Sequence, residues 1–193
     1  MSTGKIKPWQ KVSSKQIANY RVFNIRSDVK VSPRTGREHD FYVIEAVNWV
    51  HVIALTRDGK LVMIEQYRHG SNTVELELAG GMIDSKDASP LEAGLRELRE
   101  ETGYEGMRAE VIGQIYANPA IMNNICYTVL VHDCELKHTP ELDQGEDVLT
   151  TFIDIDQIPS LVKQGRIGHS LVVVGLYHFE LWRTNSSRSS QSS

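Results

Sequence analysis

The sequence predicts an α/β (α+β) fold in which antiparallel strands come first, a central helix follows, and two helices close the chain. Three observations predict it. The first third of the chain is rich in β-branched and aromatic residues between short turns. A capped helix with one apolar face lies near the middle, and further strand-like runs separate it from the closing helices. With 193 residues, of which 40% are hydrophobic and 24% charged, the chain is long enough for one well-cored domain.

Apolar runs bounded by turn residues predict the strands. Before the central helix, from Trp9 to Gln66, they are YRVFNIRSDVKV, FYVIEAV, WVHVIALT and KLVMIEQY. After it, they are MRAEVIGQIYA, ICYTVLVHD and VLTTFIDI. Asp156 is predicted to begin a short helix that Gly165 ends, and an apolar helix is predicted from Ser170 to about Trp182.

The central helix is predicted from the residues at its ends. Ser89 can accept a hydrogen bond from the backbone near Glu92, and Glu92 can reach back toward the start. Pro90 stands where its missing N–H is harmless, so we expect the helix to begin there. Gly103 supplies the left-handed residue that ends it.

Three glutamates share one side of this helix. The apolar stripe consists of Leu91, Leu95 and Leu98, and a separate arc consists of Glu97, Glu100 and Glu101. Like charges one turn apart destabilise a helix, so something should compensate them. One interpretation is a solvated acidic face balanced by Arg96 and Arg99. The other is a site for Mg²⁺ or Mn²⁺, which take oxygen ligands and bridge carboxylates to substrate phosphates.

Small residues favour the metal-site interpretation. Ala93 and Gly94 lie on the glutamate side one turn earlier and leave room for a backbone to approach. Glycine within a helix costs up to about 1 kcal/mol, so its presence suggests a use. The loop Ala79–Gly81 just upstream could supply the approaching backbone.

Composition excludes other classes of function. The formal net charge of -4 and the lack of a local Lys/Arg cluster argue against a nucleic-acid-binding protein. Nothing reaches the roughly 18 consecutive apolar residues of a membrane helix, and the polar start MSTGKIKPWQ lacks a secretory signal, so we expect a cytoplasmic protein without a membrane partner. Cys126 and Cys134 share one predicted strand, which is too extended to bridge its own ends, and we expect buried free thiols.

The segment Gly81–Tyr104 resembles the Nudix box, written G-x5-E-x7-R-E-U-x-E-E-x-G-U with U an aliphatic or aromatic residue. RELREETGY, residues 96–104, matches its second half in full. The first half departs, because one extra residue precedes Arg96 and the first glutamate of the box becomes Asp87 or Ala88. In the family that glutamate mainly braces the loop against the box arginine, so we expect a salt bridge between Asp87 and Arg96.

The resemblance covers roughly Trp9 to Trp182 and is closest to ADP-ribose pyrophosphatases and related nucleoside-diphosphate-sugar hydrolases. The segments that carry it are IEQYRHG, VELELAGGMID, YANPAIMNN, LDQGEDV and GRIGHSLVVVGLYHF. It implies a mixed-sheet α-β-α sandwich, preceded by an N-terminal antiparallel β-region that exchanges between the subunits of a homodimer. We therefore expect this dimerisation region at 1–47, a Nudix hydrolase domain at 48–184 and, from the polar run NSSRSSQSS, a disordered tail at 185–193.

The resemblance also implies a metal site. Glu97, Glu100 and Glu101, with the carbonyl of Gly80, would hold Mg²⁺ or Mn²⁺. The ions would neutralise the diphosphate of the substrate and activate a water for attack on phosphorus. Glu100 and Arg96 would belong to the catalytic machinery.

The catalytic base is expected on a loop before a late strand, by the same resemblance. Glu146 in LDQGEDV matches that position, with Glu141 and Asp147 as rivals. Glu146 could equally be an ordinary loop carboxylate, and some family members use a glutamate of the box instead. The histidines show no spacing typical of zinc ligands, and His169, at a helix start, is interpreted as a structural cap.

Four residues are expected to bind substrate or support the site. Arg68 falls where relatives place an arginine against the substrate, although it could equally form a surface ion pair. Tyr20 and Phe41 align loosely with an aromatic pair that holds adenine across the dimer, although aromatics in strands are more often core residues. Glu77 matches an acidic position near the metals and is expected to support their ligands. Trp49 is interpreted as a packing residue.

The sequence therefore predicts a magnesium-dependent diphosphatase. It would cleave ADP-ribose or another nucleotide sugar, a small-molecule partner, into a nucleoside monophosphate and a sugar phosphate. One alternative is a Nudix hydrolase of another specificity, acting on a dinucleotide or an RNA 5′ end. The other is a non-catalytic sensor that binds ADP-ribose, which the intact glutamates disfavour and the altered first half of the box allows.

Overall fold

The chain folds into two compact units. The computed structural model describes residues 5–190, with the backbone alone at 187–190. One unit comprises the chain up to Val47 together with Tyr116–Asn124, and the other comprises Asn48–Ile115 together with the chain from Ile125 onward. Each unit is described separately below.

The N-terminal unit is a three-stranded antiparallel sheet in the order β1-β2-β3. The strands are β1 (Gln10–Asn19), β2 (Phe23–Val31) and β3 (Glu38–Ala46). Its buried Asp28 accepts hydrogen bonds from Ser14 at 2.6 Å and from the Nε of Arg26 at 3.1 Å. β1 is exposed along almost its whole length, which leaves apolar side chains of this sheet open to solvent.

The second unit is built on a seven-stranded mixed sheet. Six strands follow one another in the order β10-β5-β6-β4-β9-β7, and β8 pairs with β9. β4 and β9 run parallel, and β10, β5 and β6 join the sheet antiparallel. Their bounds are β4 (Trp49–Thr56), β5 (Lys60–Arg68), β6 (Thr73–Met82), β7 (Tyr104–Glu105), β8 (Arg108–Tyr116), β9 (Ile125–Leu136) and β10 (Val148–Asp154).

Helices cover both faces of this sheet. α1 (Pro90–Thr102) packs on one face over a cluster that includes Val52, Ile64, Leu98 and Val129. A 3-10 turn (Ile155–Gln157), α2 (Ile158–Lys163) and α3 (Ser170–Ser190) follow β10. α2 and α3 pack on the other face over a cluster that includes Ile53, Met63, Val172 and Phe179. The predicted α/β fold, an α-β-α sandwich with a mixed sheet and an N-terminal antiparallel region, is confirmed.

Two features of the fold differ from the sequence prediction. β6 was not predicted as a separate strand. α3 extends through residues 185–190, where a disordered tail was expected; residues 191–193 lie outside the described part of the chain. The hydroxyls of Thr184 and Ser186 donate to the carbonyls of Glu180 and Trp182 one turn earlier, a hydrogen bond that Ser and Thr form within helices.

Two smaller expectations can also be compared with the structure. Cys126 and Cys134 are buried free thiols, as expected, and burial raises the pKa of each to about 12. Among residues 5–190, no helix combines the length and the apolar character that a membrane crossing requires.

Candidate active site

Helix α1 begins and ends where its sequence predicts. The Oγ of Ser89 accepts from the backbone N–H of Glu92 at 3.2 Å, and Gly103 adopts a left-handed conformation with φ 75°. The Glu92 carboxylate reaches back to the N–H of Ala88, one residue before the expected partner, at 2.7 Å. Leu98 is fully buried under the helix, so the opposite side of α1 is left to face solvent and a cavity.

An acidic cavity of about 520 Å³ lies along that side of α1. It is lined by eight carboxylate side chains against three cationic ones, which makes its lining strongly negative. The acidic residues are Asp84, Asp87, Glu97, Glu100, Glu101, Glu141, Asp143 and Glu146; the cationic ones are Arg68, Lys86 and Arg96; and Trp49, Gln66 and Gly80–Met82 complete the lining. All three glutamates predicted as metal ligands therefore lie in one cavity.

Two of these glutamates are withdrawn from solvent, since Glu101 is buried and Glu97 is half-buried beside Arg96. Glu101 is 4% exposed, and its carboxylate accepts one hydrogen bond, from the N–H of Gly80 at 2.8 Å. Burial raises the pKa of Glu101 to about 8 and that of Glu97 to about 7. Glu100 is more exposed and pairs with Arg96 at 2.9 Å. A divalent cation would relieve this accumulated charge.

The end of β6 approaches the glutamates closely because it consists of glycines. At Gly80, with φ 156°, a Cβ would lie 2.1 Å from the carbonyl oxygen of Val50, so only glycine fits. At Gly81 a Cβ would lie 2.5 Å from Oε1 of Glu97. The end of β6, where a loop was expected, thus supplies the expected backbone approach. Gly94 has another role, because a Cβ there would lie 3.1 Å from Val129 and disturb the packing of α1 on the sheet.

Arg96 links the loop before α1 to the carboxylates on the helix. Its Nε and Nη2 donate to the two oxygens of Asp87, both at 3.0 Å, which confirms the expected salt bridge. Its Nη1 also donates to Glu97 at 3.0 Å and to Glu100 at 2.9 Å. Hydrogen bonding to Asp87 raises the pKa of Arg96, which stays charged. Arg96 lowers the pKa of Glu97, but burial outweighs this effect and the pKa stays raised.

A second ion pair lies on the β5–β6 side of the cavity. Arg68 donates from Nε to Oε1 of Glu77 at 2.8 Å and from Nη2 to Oε2 at 2.6 Å. The Nδ1 of His169 lies 3.2 Å from the same Oε2. Burial alone would raise the pKa of Glu77, but the hydrogen bonds and charges of Arg68 and His169 lower it to about 2. Arg68 lines the cavity as a charged group held by a fully buried carboxylate.

The loop before β10 brings further carboxylates to the cavity. Glu141, Asp143 and Glu146 line it, whereas Asp147 does not. The N–H of Glu141 donates to the carbonyl of Glu100 at 2.8 Å, which ties the loop to α1. The carboxylate of Glu146 accepts from the N–H of Asp143 at 3.2 Å, within its own loop. The structure thus places Glu146 at the cavity, and its role as a base stays a prediction.

The aromatic and histidine residues named in the sequence analysis lie in different parts of the structure. Tyr20 and Phe41 lie exposed in the N-terminal unit, where Phe41 packs edge-on against Trp9 with ring centroids 5.3 Å apart. Trp49, interpreted as a packing residue, lines the cavity. His169 bonds to Glu77, and sequence reasoning gave it no such role because the two residues are 92 positions apart.

The donor groups in the cavity fit a hard divalent cation. Carboxylate oxygens and a backbone carbonyl are the ligands that Mg²⁺ and Mn²⁺ take, and a bound cation would offset the burial that raises the pKa values of Glu97 and Glu101. Glu97, Glu100, Glu101 and the end of β6 at Gly80 could hold such an ion. Phosphate groups bound to it would lie within the same cavity as Arg68.

Comparison with known proteins agrees with this site. A family model described as the NUDIX domain matches residues 20–173. A methanol dehydrogenase activator from Bacillus methanolicus is 28% identical over 179 residues, covering 92% of this chain and 96% of that protein. An ADP-ribose pyrophosphatase from Bacillus subtilis strain 168 is 24% identical over 171 residues, covering 88% and 91%. The crystal structure of an ADP compounds hydrolase shares the fold, with a TM-score of 0.83 at 19% identity over 96% of this chain and 100% of that one. The chain belongs to the NUDIX domain family.

Proposed function

We propose that this protein is a metal-dependent diphosphatase acting on ADP-ribose or a related nucleoside-diphosphate sugar. The products would be a nucleoside monophosphate and a sugar phosphate. The observation that carries the proposal is the pair of carboxylates beside Gly80 and Gly81 of β6, the buried Glu101 and the half-buried Glu97, both with a raised pKa. Family membership and the relative named ADP-ribose pyrophosphatase support the reaction and the substrate class.

Glu97, Glu100, Glu101 and the carbonyl of Gly80 would hold Mg²⁺ or Mn²⁺. When bound, such an ion neutralises a diphosphate and lowers the pKa of a coordinated water. Arg68 is positioned to donate to a phosphate oxygen, and Arg96 keeps the loop before α1 against the glutamates.

The loop before β10 would supply the proton acceptor. Glu146 lies at the cavity on a loop joined to α1 through Glu141 and Glu100. We assign it as the base that takes the proton of the attacking water. Glu141 lines the same cavity and is the rival to be compared by mutation.

A homodimer formed through the N-terminal sheet is part of the proposal. The support is the apolar surface that this unit leaves exposed, at Val12, Ile17, Tyr20, Phe41 and Tyr42. Tyr20 and Phe41 would then hold the adenine ring. Light scattering at micromolar concentration tests the dimer, and a monomer would remove this role of Tyr20 and Phe41. We also propose a cytoplasmic location, as expected from the sequence.

A substrate panel with product identification tests the reaction. Purified protein with Mg²⁺ is incubated with ADP-ribose, other nucleotide sugars, dinucleotides and capped RNA, and products are followed by ³¹P NMR in ¹⁸O-labelled water. We expect monophosphate release from ADP-ribose or a nucleotide sugar, and none when EDTA replaces Mg²⁺. Tight binding of ADP-ribose without turnover would contradict the proposal and indicate a sensor.

A second candidate function is the activation of another enzyme. It is favoured by the relative named methanol dehydrogenase activator, which matches nearly the whole chain. A purified methanol dehydrogenase is assayed with and without this protein, and with the Glu101→Gln variant. An unchanged dehydrogenase rate would reject this candidate and leave the diphosphatase proposal standing.

A further inference from the structure

The ion pair of Arg68 and Glu77 has a third member on another part of the chain. His169, directly before α3, places Nδ1 3.2 Å from Oε2 of Glu77. In the Nδ1–H tautomer it donates to a carboxylate that already accepts two hydrogen bonds from Arg68. Glu77 is fully buried, so these three bonds are the means by which its charge is satisfied.

The segment Arg166–His169 is fastened to the strands that carry this ion pair. Arg166 forms an ion pair with Glu65 on β5 and donates to the carbonyl of Val74 on β6 at 2.9 Å. The N–H of Gly168 donates to the carboxylate of Glu75 at 3.1 Å, and a Cβ at Gly168 would lie 2.9 Å from that carboxylate. The segment therefore cannot shift along β6 without breaking several bonds.

The ring of His169 also packs against a second histidine. His51 on β4 packs against it edge-on, with ring centroids 5.7 Å apart. His51 is buried, and its Nε2 has no hydrogen-bond partner within the described residues. Packing on His51 and the bond to Glu77 together fix one orientation of the His169 imidazole.

A metal site at these three side chains is less consistent with the contacts. One ligand atom each from His51, Glu77 and His169 lies within 4.8 Å of the others, a donor set that zinc accepts. Both oxygens of Glu77, however, accept short hydrogen bonds from Arg68, at 2.8 and 2.6 Å. A cation at Glu77 would meet that guanidinium directly. The contacts therefore describe a hydrogen-bond network that ends on Arg68.

We propose that His169 is a positioning residue that fixes Arg68 at the active site through Glu77. Arg68 lines the acidic cavity and uses Nε and Nη2 on Glu77, while Nη1 has no protein partner in the described part of the chain. A carboxylate held by His169 cannot swing, so the guanidinium keeps one orientation toward a bound phosphate. This inference rests on the proposed diphosphatase function.

Two variants of His169 separate positioning from a general structural role. His169→Leu keeps most of the volume and removes the donor, and His169→Asn keeps an amide N–H near the place of Nδ1. His138→Leu is the matched control, because His138 is a half-exposed histidine paired with Glu105. His169→Ala replaces the leucine variant should that protein fail to fold.

Kinetics and NMR are then measured on the same proteins. For ADP-ribose with Mg²⁺, we expect His169→Leu to raise KM about tenfold and to change kcat less than about threefold, because binding energy common to ground and transition states is lost. We expect the Nε–H of Arg68, assigned with Arg68→Lys, to exchange with water about tenfold faster in His169→Leu. His169→Asn and His138→Leu should resemble the wild type in both measurements.

The proposal requires both effects. An unchanged KM in His169→Leu would overturn it, and so would a raised KM with an unchanged Arg68 exchange rate, which would place His169 directly on the substrate. Should the wild type fail to hydrolyse any nucleotide sugar, the proposed function fails, while the exchange rates still decide whether His169 anchors Arg68.

Discussion

Two buried carboxylates, Glu101 in the lining of the acidic cavity and Glu77 paired with Arg68, differ in how their charge is met. Glu77 is 0% exposed and Glu101 is 4% exposed, so burial does not distinguish them. Glu77 accepts from Arg68 and His169, and the pKa of its carboxyl falls to about 2. Glu101 accepts one backbone N–H, and the pKa of its carboxyl rises to about 8. Burial alone therefore does not separate a structural carboxylate from a functional one. The hydrogen-bond partners of the carboxylate do.

Strand β6 contributes to the surroundings of both carboxylates. Glu77 lies within β6, where a side chain can reach Arg68 on the paired strand β5, and Gly80 lies three residues further on, where no side chain is possible. The same strand therefore provides a satisfied ion pair at one point and a close approach of its backbone to the glutamates of α1 at the next. Glu77 has its hydrogen-bond partners within the protein, and the α1 side is where the proposed cation would bind.

The largest effect should come from removing the charge on the α1 side. We expect Glu101→Gln to lower Mg²⁺-dependent hydrolysis of ADP-ribose by more than about 100-fold, the upper range for partners that merely support metal ligands. Stability without metal should stay unchanged or rise, because a buried and poorly compensated carboxylate is removed. Steady-state kinetics and urea unfolding in EDTA measure both, with Glu180→Gln on the exposed side of α3 as the control.

The same substitution on the arginine side should lower stability, besides weakening the hold on Arg68. We expect Glu77→Gln to lower the free energy of unfolding by about 2–3 kcal/mol, less than for a fully buried pair because Arg68 remains 30% exposed. Urea unfolding in EDTA measures the change. Equal effects of Glu77→Gln and Glu101→Gln on unfolding would show that the two carboxylates do not differ as described.

Stability should depend on pH in opposite directions for the two carboxylates. In the unfolded chain the pKa of both carboxyls is 4.5. Folding lowers the pKa of Glu77 to about 2, so its contribution to the free energy of unfolding is present above pH 4.5 and is lost as pH falls toward 2. Folding raises the pKa of Glu101 to about 8, so the metal-free folded state binds a proton that the unfolded state has released. The stability of the folded protein therefore falls between pH 4.5 and 8. The slope is at most about 1.4 kcal/mol per pH unit for each proton.

Magnesium should remove the alkaline part of this profile. The ion binds the deprotonated carboxylates, so its affinity should rise with pH up to about 8, the pKa of Glu101, and then level off. Urea midpoints between pH 3 and 9, with EDTA or with Mg²⁺, measure the effect. Parallel profiles in the two conditions would contradict the assignment of Glu97 and Glu101 as ligands.

The smallest effect should come from the loop before α1. Asp87→Asn weakens two hydrogen bonds to Arg96, and we expect a loss of about 1 kcal/mol in unfolding free energy. Arg96 would then pair more fully with Glu97 and Glu100, so the concentration of Mg²⁺ needed for half-maximal activity should rise a few-fold. A drop in activity as large as that of Glu101→Gln would show that Asp87 has more than a bracing role.

Local sequence signals accounted for much of the fold and of the α1 side. Ser89, Pro90 and Gly103 define the ends of α1 because capping depends on neighbouring residues alone. The Asp87–Arg96 pair was predictable from the resemblance, despite the altered first half of the box. The raised pKa values of Glu97 and Glu101 were not, since burial depends on the whole sheet and on the loop before β10.

The sequence patterns could not predict contacts between residues that lie far apart in the chain. His169 reaches Glu77 across 92 positions, and no spacing rule marks such a pair. β6 was missed as a strand because its polar alternation ends in two glycines, which are uncommon inside strands. The continuation of α3 through residues 185–190 was not expected because a polar, Ser-rich run is typical of a disordered segment.

The position of a bound metal ion tests the central claim most directly. Crystals grown with Mn²⁺ and a non-hydrolysable ADP-ribose analogue would be examined by anomalous scattering at the manganese edge. We predict a peak in contact with Glu97 and Glu101, adjacent to Gly80 and to the diphosphate of the analogue. Bound analogue with no peak there, and Arg96 still pairing with Glu97 and Glu100, would contradict the claim that these carboxylates exist to hold a cation.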